Sequence, residues 1–535
     1  MPIVTVLRKE EDIHLPFERG PSMREILDVA DLSVRSGCIG NGACGLCRVQ
    51  IVKGKVPPPT SAEKLHLSGD QLEQEVRLAC QVRPEQELKI KILNPAPRSK
   101  WKALLPWRKN PAGRCPVFSL RDLLGDEKER CGVAVDLGTT NISLSICAFS
   151  NGERIAGRYG LNPQMSFGYD VVTRIEVAAE SPEVSRVLHQ QLIDAIREAL
   201  LDIASREGID LKQVVYLTHV GNTAMLSLLS GRNYELLLHP DYMMRPIDCL
   251  PDDTSLWSVS WGVHPEAVIE VIPPLAGFVG SDLLAGVVTT RLIENGAGAL
   301  LIDFGTNSEI ALWDGSTLWV TSAAGGPAFE GCGISCGLPA EPGAIYQVRI
   351  EEGSFDFDVI GGRKARGICG SGMVDFIACL IRSGGLTEMG RFAPEISRKT
   401  FALTECENRI VLTKVDVDVF QRAKAAIGAG IKVLLNSSGM EFGDLKRICV
   451  CGAFGRYLNI VNAQEIGLLP KVQTSLFELC GNTALAGCEE IMLSSEALEY
   501  VSDLKNKAKI VNLAECGDFE DLFLESLYLR PMGDS

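Results

Sequence analysis

Two distant stretches of the chain repeat one pattern. The first is Ala134-Val135-Asp136-Leu137-Gly138-Thr139-Thr140-Asn141-Ile142-Ser143-Leu144-Ser145, and the second is Leu301-Ile302-Asp303-Phe304-Gly305-Thr306-Asn307-Ser308-Glu309-Ile310-Ala311-Leu312. Each is an apolar strand that ends in Asp-x-Gly-Thr, turns, and returns as a strand with apolar residues at alternate positions. Self-similarity of this kind marks an internal duplication. It commits most of the chain to two like halves, each carrying an acid-tipped hairpin.

The hairpins have the chemistry of a phosphate site. Asp136 and Asp303, at strand ends, can hold Mg2+ directly or through water. Gly138 and Gly305 let the turn amides face a phosphate, and Thr139, Thr140, Asn141, Thr306 and Asn307 add side-chain donors. Two such hairpins facing one another would clamp a triphosphate between two lobes. The chain contains no G-x-x-x-x-G-K-(S/T) sequence, which excludes a Walker-type loop. Near the C-terminus, Ile448-Cys449-Val450-Cys451-Gly452-Ala453-Phe454-Gly455 reads as a buried strand ending at a Gly-rich turn. Gly367-Ile368-Cys369-Gly370-Ser371-Gly372 opens a helix, whose N-terminus suits an anion. Glu309 and Glu330 are the candidate carboxylates for positioning an attacking water, and a structural hydrogen bond is an equal alternative for either.

This pattern resembles the superfamily of acetate kinases, sugar kinases, heat-shock chaperones and actin. The resemblance implies an α/β multidomain chain whose body is a duplicated ribonuclease-H-like, two-lobed ATPase spanning 131–535, with lobes of about 131–295 and 296–535. It also implies that Gly452, Ala453, Phe454 and Gly455 bind adenosine, with Gly370 and Ser371 as a second part of the nucleotide wall.

A different chemistry occupies the N-terminus. Cys38, Cys44 and Cys47 lie in one loop, Ser36-Gly37-Cys38-Ile39-Gly40-Asn41-Gly42-Ala43-Cys44-Gly45-Leu46-Cys47, and Cys80 follows alone. The spacing C-x5-C-x2-C…C is one residue longer in its first interval than the plant ferredoxin pattern, a length that adrenodoxin-like ferredoxins use. Gly37, Gly40, Gly42 and Gly45 remove Cβ atoms, so backbone N–H groups can approach the sulfides of a 2Fe-2S cluster. Zinc is the alternative for four thiolates, but zinc sites usually pair two short knuckles rather than crowd three cysteines into one loop. The flanks fit a β-grasp ferredoxin over 1–93: strands at Ile3–Leu7, Arg48–Val52 and Glu87–Leu93, and a Ser22-x-x-Glu25 capping box opening a helix to about Ala30.

Charge separates head, strap and body. Residues 1–93 carry 13 basic and 13 acidic side chains, 94–130 carry 9 and 4, and the remainder 31 and 51. The basic strap, with Trp101 and Trp107, either lets the head swing between donor and acceptor or docks it on the body. A net charge of −15 excludes general binding to nucleic acid or an anionic membrane. The N-terminus lacks the basic stretch and long apolar core of an export signal, so a cytoplasmic location is expected. Eighteen cysteines are many, and those outside the head read as small buried hydrophobes. Cys332, Cys336 and Cys369 read as core packing, with a shared metal as the alternative, and His219 reads as a satisfied interior histidine. Asn162–Asp170 and Arg174 are candidates for lining the cleft, and Asp416–Asn436 reads as a core helix.

A ferredoxin head, a strap and an actin-like body together resemble the reductive activators of corrinoid proteins over nearly the full length. What that resemblance implies is ATP-dependent, one-electron return of a corrinoid from cob(II)alamin to cob(I)alamin in a methyltransferase system. It implies a low-potential donor such as a ferredoxin or flavodoxin, a corrinoid protein as partner and, by analogy, a homodimer. Longer relatives carry a middle domain between strap and ATPase, and here Val133 follows the strap so closely that this domain is expected to be missing. A redox-sensing small-molecule kinase and an ATP-clamped activator of another metalloenzyme are the competing readings.

Overall fold

A computed structural model describes residues 2–8, 12–30, 32, 34, 42, 45–95, 100–104, 130–168, 170–294, 296–331, 333–351, 353–362, 364–394, 400–403, 410–452, 454 and 457–533. Cys38, Cys44, Trp107, Cys332, Ala453 and Gly455, all singled out above, lie outside the described residues.

Alternating apolar residues build the head. Strands β1 (Ile3–Val6), β2 (Ile13–Pro16), β3 (Arg48–Lys53), β4 (Val76–Leu78) and β5 (Leu88–Ile92) form one sheet in the order β2-β1-β5-β3-β4. β1 and β5 run parallel and the other neighbours antiparallel, the mixed arrangement of a β-grasp. The helix Met23–Val29 starts at the capping box read from the sequence, with Ser22 and Glu25 each bonded to the other's backbone N–H. Leu27 packs with Val4, Val6, Val49, Leu78 and Ile90 in the core.

The strap begins docked. Trp101 is 4% exposed within the core of the next sheet, where a Cβ on Gly160 would stand 2.8 Å from its ring. The short strand β6 (Lys102–Ala103) then extends that sheet's edge.

The body repeats one topology. β7 (Cys131–Leu137), β8 (Asn141–Ala148) and β9 (Arg154–Leu161) form an antiparallel meander, and β10 (Val214–Gly221) and β11 (Val268–Val271) add parallel to β7, giving β11-β10-β7-β8-β9-β6. In the second half β12 (Ala299–Asp303), β13 (Ser308–Trp313) and β14 (Leu318–Ala323) form the same meander. A three-stranded sheet of β15 (Ala344–Glu351), β16 (Ser354–Val359) and β17 (Gly367–Ile368) and a pair, β18 (Thr400–Ala402) and β19 (Val411–Thr413), are inserted next. β20 (Arg447–Cys451), β21 (Phe477–Gly481) and β22 (Ala508–Ile510) complete the order β21-β20-β12-β13-β14-β22, with β20 parallel to β12 and β21 parallel to β20. Strands buried on both faces read as continuous apolar runs, as β7 and β12 do.

Helices Ser281–Thr290 and Thr483–Leu493 pack on each other between the two sheets. Their approach is close: a Cβ on Gly487 would lie 2.0 Å from the Ala285 carbonyl oxygen. The helix expected at Asp416–Asn436 runs from Lys414 to Ser438 and is a core helix. Among the described residues no helix is long and apolar enough to cross a membrane.

Candidate active site between the two hairpins

The duplication brings the hairpin turns face to face. The Thr140 and Thr306 hydroxyls lie 2.8 Å apart, and both donate to Glu330 Oε2, at 3.2 and 2.5 Å. Behind each turn a glycine is pressed on a nearby backbone carbonyl. Gly138 N donates to the Asn141 carbonyl at 3.0 Å, and a Cβ on Gly138 would meet that oxygen at 2.6 Å. A Cβ on Gly305 would meet the Asn307 carbonyl at 3.0 Å.

Five carboxyls converge here. Asp136 is the last residue but one of β7, Asp303 ends β12, and Glu309 stands opposite Asp303 on β13. Asp282 sits in the first turn of the helix Ser281–Thr290. Burial pushes Asp136 up to about 7, and the Asp282 charge adds to this while a hydrogen bond from Asn482 opposes it. Burial, then repulsion from Asp282 and Asp136, pushes Asp303 up to about 8. Burial likewise raises Asp282 to about 6 and lifts Glu309 and Glu330 above the usual carboxylate range. Crowded oxygen donors that repel one another are the donor set a hard divalent cation takes.

Two of these groups escaped the sequence reading. Asp282 and Asn482 belong to no motif singled out there, yet a signal existed. Gly221-Asn222-Thr223 is repeated as Gly481-Asn482-Thr483. Each Asn caps a helix that follows a strand, accepting from Met225 N at 3.0 Å and from Leu485 N at 2.9 Å. With its amide N–H, Asn222 donates to Thr139 Oγ1 and Asn482 to Asp136 Oδ2, both at 3.0 Å. The second Asn-capped helix thus serves the first hairpin.

The other expected residues divide. Gly452 has φ +88°, and a Cβ there would lie 2.5 Å from the Phe304 carbonyl and 3.0 Å from Asp303 Oδ1, so its turn abuts the site. The Phe454 ring instead packs on Phe304 and Phe329, with centroids 4.9 and 5.1 Å away. Gly370 is pressed on the Phe329 carbonyl and the Phe454 ring, and Ser371 gives its hydroxyl to the Tyr346 carbonyl at 2.9 Å. Asn162 buttresses the first turn, donating from Nδ2 to the Gly138 carbonyl at 3.0 Å, whereas Gln164 and Arg174 are buried. Arg174 donates to the Gly168 carbonyl at 2.8 Å. His219 Nδ1 lies 3.1 Å from the Glu270 carbonyl between Trp257 and Trp261, while Nε2 finds no hydrogen-bond partner among the described residues. Cys369 is buried beside Ser371.

In the head, Cys47 and Cys80 are buried with sulfurs 3.4 Å apart. The hydrogen bond with Cys47, chiefly, pushes the Cys80 thiol down to about 6. Two adjacent buried thiols, with that of Cys80 held low and bonded to the Gly42 backbone, fit thiolate ligation of iron. Gly42 and Gly45 have φ of +87° and +65°, and a Cβ on either would strike Ala62 or His66 at 2.8 or 2.7 Å. The head is fastened to the body by an ion pair of Arg24 with Glu207, whose other oxygen accepts from Arg158 Nη2 at 3.0 Å.

Comparison with known proteins agrees with this geometry. Residues 8–85 match the 2Fe-2S iron-sulfur cluster binding domain, 131–295 the RACo middle region, and 297–535 the C-terminal ASKHA domain of RACo. The corrinoid activation enzyme RamQ of Eubacterium limosum is 32% identical over 422 residues, covering 74% of this chain and 70% of that one. The chain belongs to the reductive activators of corrinoid proteins. A second relative in Methanosarcina barkeri, a reductase of the Co(II) methylated amine-specific corrinoid protein, is 27% identical over 74% of this chain and 76% of its own. The solved structure of a reductive activator for a corrinoid, iron-sulfur protein superposes with a TM-score of 0.69 and 25% identity, covering 99% of both chains. One expectation is thereby corrected. No middle domain is missing from this activator, because the segment read as the first ATPase lobe is itself the middle region. An Asp-Gly-Thr hairpin in each half made the two segments look like lobes of one unit and concealed that identity.

Proposed function

We propose that this chain hydrolyses ATP to return a corrinoid protein from cob(II)alamin to cob(I)alamin, passing one electron through the 2Fe-2S cluster of its head. The observation that carries the reading is the Thr140–Thr306–Glu330 junction, which ties one hairpin turn to the other among the converging carboxyls. Cys38, Cys44, Cys47 and Cys80 hold the cluster, and the two halves, about 131–295 and 296–535, hold the nucleotide between them. A low-potential ferredoxin or flavodoxin supplies the electron in the cytoplasm.

The chain's own groups do the following work. Amides and hydroxyls of Gly138–Asn141 and Gly305–Asn307 receive the phosphates, and the Gly452 turn takes adenosine. Thr140 and Thr306 transfer their donors from Glu330 to phosphate oxygens, freeing Glu330 as the acceptor that orients water. Asp136, Asp303 and Glu309 would hold Mg2+, which would supply neutralisation of charge on the phosphates.

Energetically, a plant-type cluster lies near roughly −400 mV, above the cob(II)/cob(I) couple. For one electron, each ~59 mV of deficit costs a factor of ten. ATP can offset this only by favouring one of two states, here a closed state that selects a corrinoid lacking its lower axial ligand. Cobalt reduction is to be measured with ATP, with a non-hydrolysable analogue and with no nucleotide. The reading expects reduction to depend on nucleotide, and equal reduction in all three overturns it.

A further inference from the structure

Outside the hairpin junction and the head, three side chains that bind metals converge on one face of the third sheet, and a fourth, Cys451, shares that face. Cys449 and Cys451 are two apart on β20 and therefore share a face. On the neighbouring edge strand β21, Glu478 is in register with Cys449. The register then slips, so that Val450 faces Leu479 while Cys451 faces Gly481. Cys480 is the extra residue of this bulge, and a bulge re-aims the side chain it carries. One ligand atom each from Cys449, Glu478 and Cys480 lies within 4.8 Å of the others. The Cys480 thiol interacts with those of Cys449 and Cys451.

Cys449 and Cys451 are fully buried, and Cys480 packs against the same core from the rim, where Glu478 is exposed. From this placement the geometry points to a soft-metal site of the zinc(II) class, held by the sulfurs of Cys449, Cys451 and Cys480 and one oxygen of Glu478. A tetrahedral zinc with bonds of about 2.3 Å to sulfur needs sulfurs about 3.8 Å apart; Cys449, Glu478 and Cys480 already stand within 4.8 Å of one another, and Cys451, on the same face of β20, has to turn toward them to complete the set. Glu478 also accepts two hydrogen bonds from Arg447, at 2.8 and 2.7 Å. A carboxylate has enough lone pairs to serve both partners. On binding, the thiols release their protons to solvent. The site stands immediately behind Asp303 and Gly452, so a bound ion would brace the strand pair that presents the proposed adenosine turn.

The test uses the full chain, prepared anoxically with its iron. Wild type is expected to hold one zinc per chain in addition to iron, and the zinc-depleted chain to take up cobalt(II) with the intense visible bands of tetrahedral thiolate coordination. Cys480→Ser, at the sheet edge, and Cys449→Ala are each expected to lose zinc and those bands while keeping iron and far-UV circular dichroism. Cys38→Ser with Cys44→Ser is expected to lose iron and keep zinc. Wild type without stoichiometric zinc or cobalt(II), a Cys480→Ser chain that binds as wild type does, or a disulfide joining Cys449 and Cys480 in the anoxic protein would each overturn the assignment.

Discussion

Glu330 accepts from Thr140 and Thr306 at once, so a carboxylate offered by the second half of the body is read by hydroxyls of both. Glu330→Gln keeps the shape and removes the charge that would orient water. Turnover of ATP is expected to fall by roughly 10²–10⁴-fold, the usual worth of a positioned base, with nucleotide affinity within a few-fold of wild type. Steady-state ATPase assays and a binding isotherm separate the two. Asp303 gives a second prediction through pH. Its carboxyl titrates near 8 when folded, against about 3.9 in an unfolded chain. The folded state therefore binds the proton more tightly, and the stability this contributes is lost as pH rises from about 4 through 8. Without divalent cation, Asp303→Asn should gain on wild type in thermal midpoint as pH is raised across that window, and added Mg2+ with ATP should shrink the difference. A difference independent of pH, in the metal-free chain, contradicts the assignment of that carboxyl as buried and unpaired by a cation.

At the level of the element, the Gly452 turn is the one most exposed to a single change. Its φ of +88° and its closeness to the Phe304 carbonyl leave no room for a methyl group. Gly452→Ala is expected to cost about 1–3 kcal/mol from backbone strain alone and to abolish the thermal shift that ATP confers, as differential scanning fluorimetry would show. Elements whose period is strong were legible beforehand: the Asp-x-Gly-Thr hairpins, the Ser22 capping box, β3, and the helix expected at Asp416–Asn436 all lie where periodicity and caps put them. Contacts made across the chain were not. Asn482 reaches Asp136 from far away in sequence, and no local pattern says which hairpin an Asn-capped helix will serve. Phe454 sits in a Gly-rich turn and reads as a ligand contact, but its neighbours Phe304 and Phe329 claim the ring, which only the packed core reveals. The three sulfurs of Cys449, Cys451 and Cys480 meet through a bulge, and a register slip leaves no mark in composition.

For the molecule as a whole, the question is whether the head is held or free. Trp101 and β6 fasten the start of the strap to the edge of the second sheet, the His14 carbonyl presses on Gly362, and Arg24 pairs with Glu207. Arg24 is the informative member because it faces two ways. It neutralises Glu207 on the body, and its charge also favours the thiolate of Cys80 in the head. Removing it leaves Glu207 paired with Arg158, so the body should fold unchanged. Arg24→Ala is then expected to loosen the head, seen as a larger radius of gyration in solution scattering and faster proteolysis of the strap, with iron content retained. Reduction adds negative charge to the cluster, and a nearby guanidinium favours that state, so its loss should move the midpoint to a more negative value, by roughly 20–60 mV on a scale where ~59 mV is tenfold for one electron. Electrochemistry of the purified protein reads the shift directly. An unaltered potential would mean that the guanidinium is screened from the cluster, and unaltered scattering would mean that Trp101 and the Gly362 contact hold the head without it.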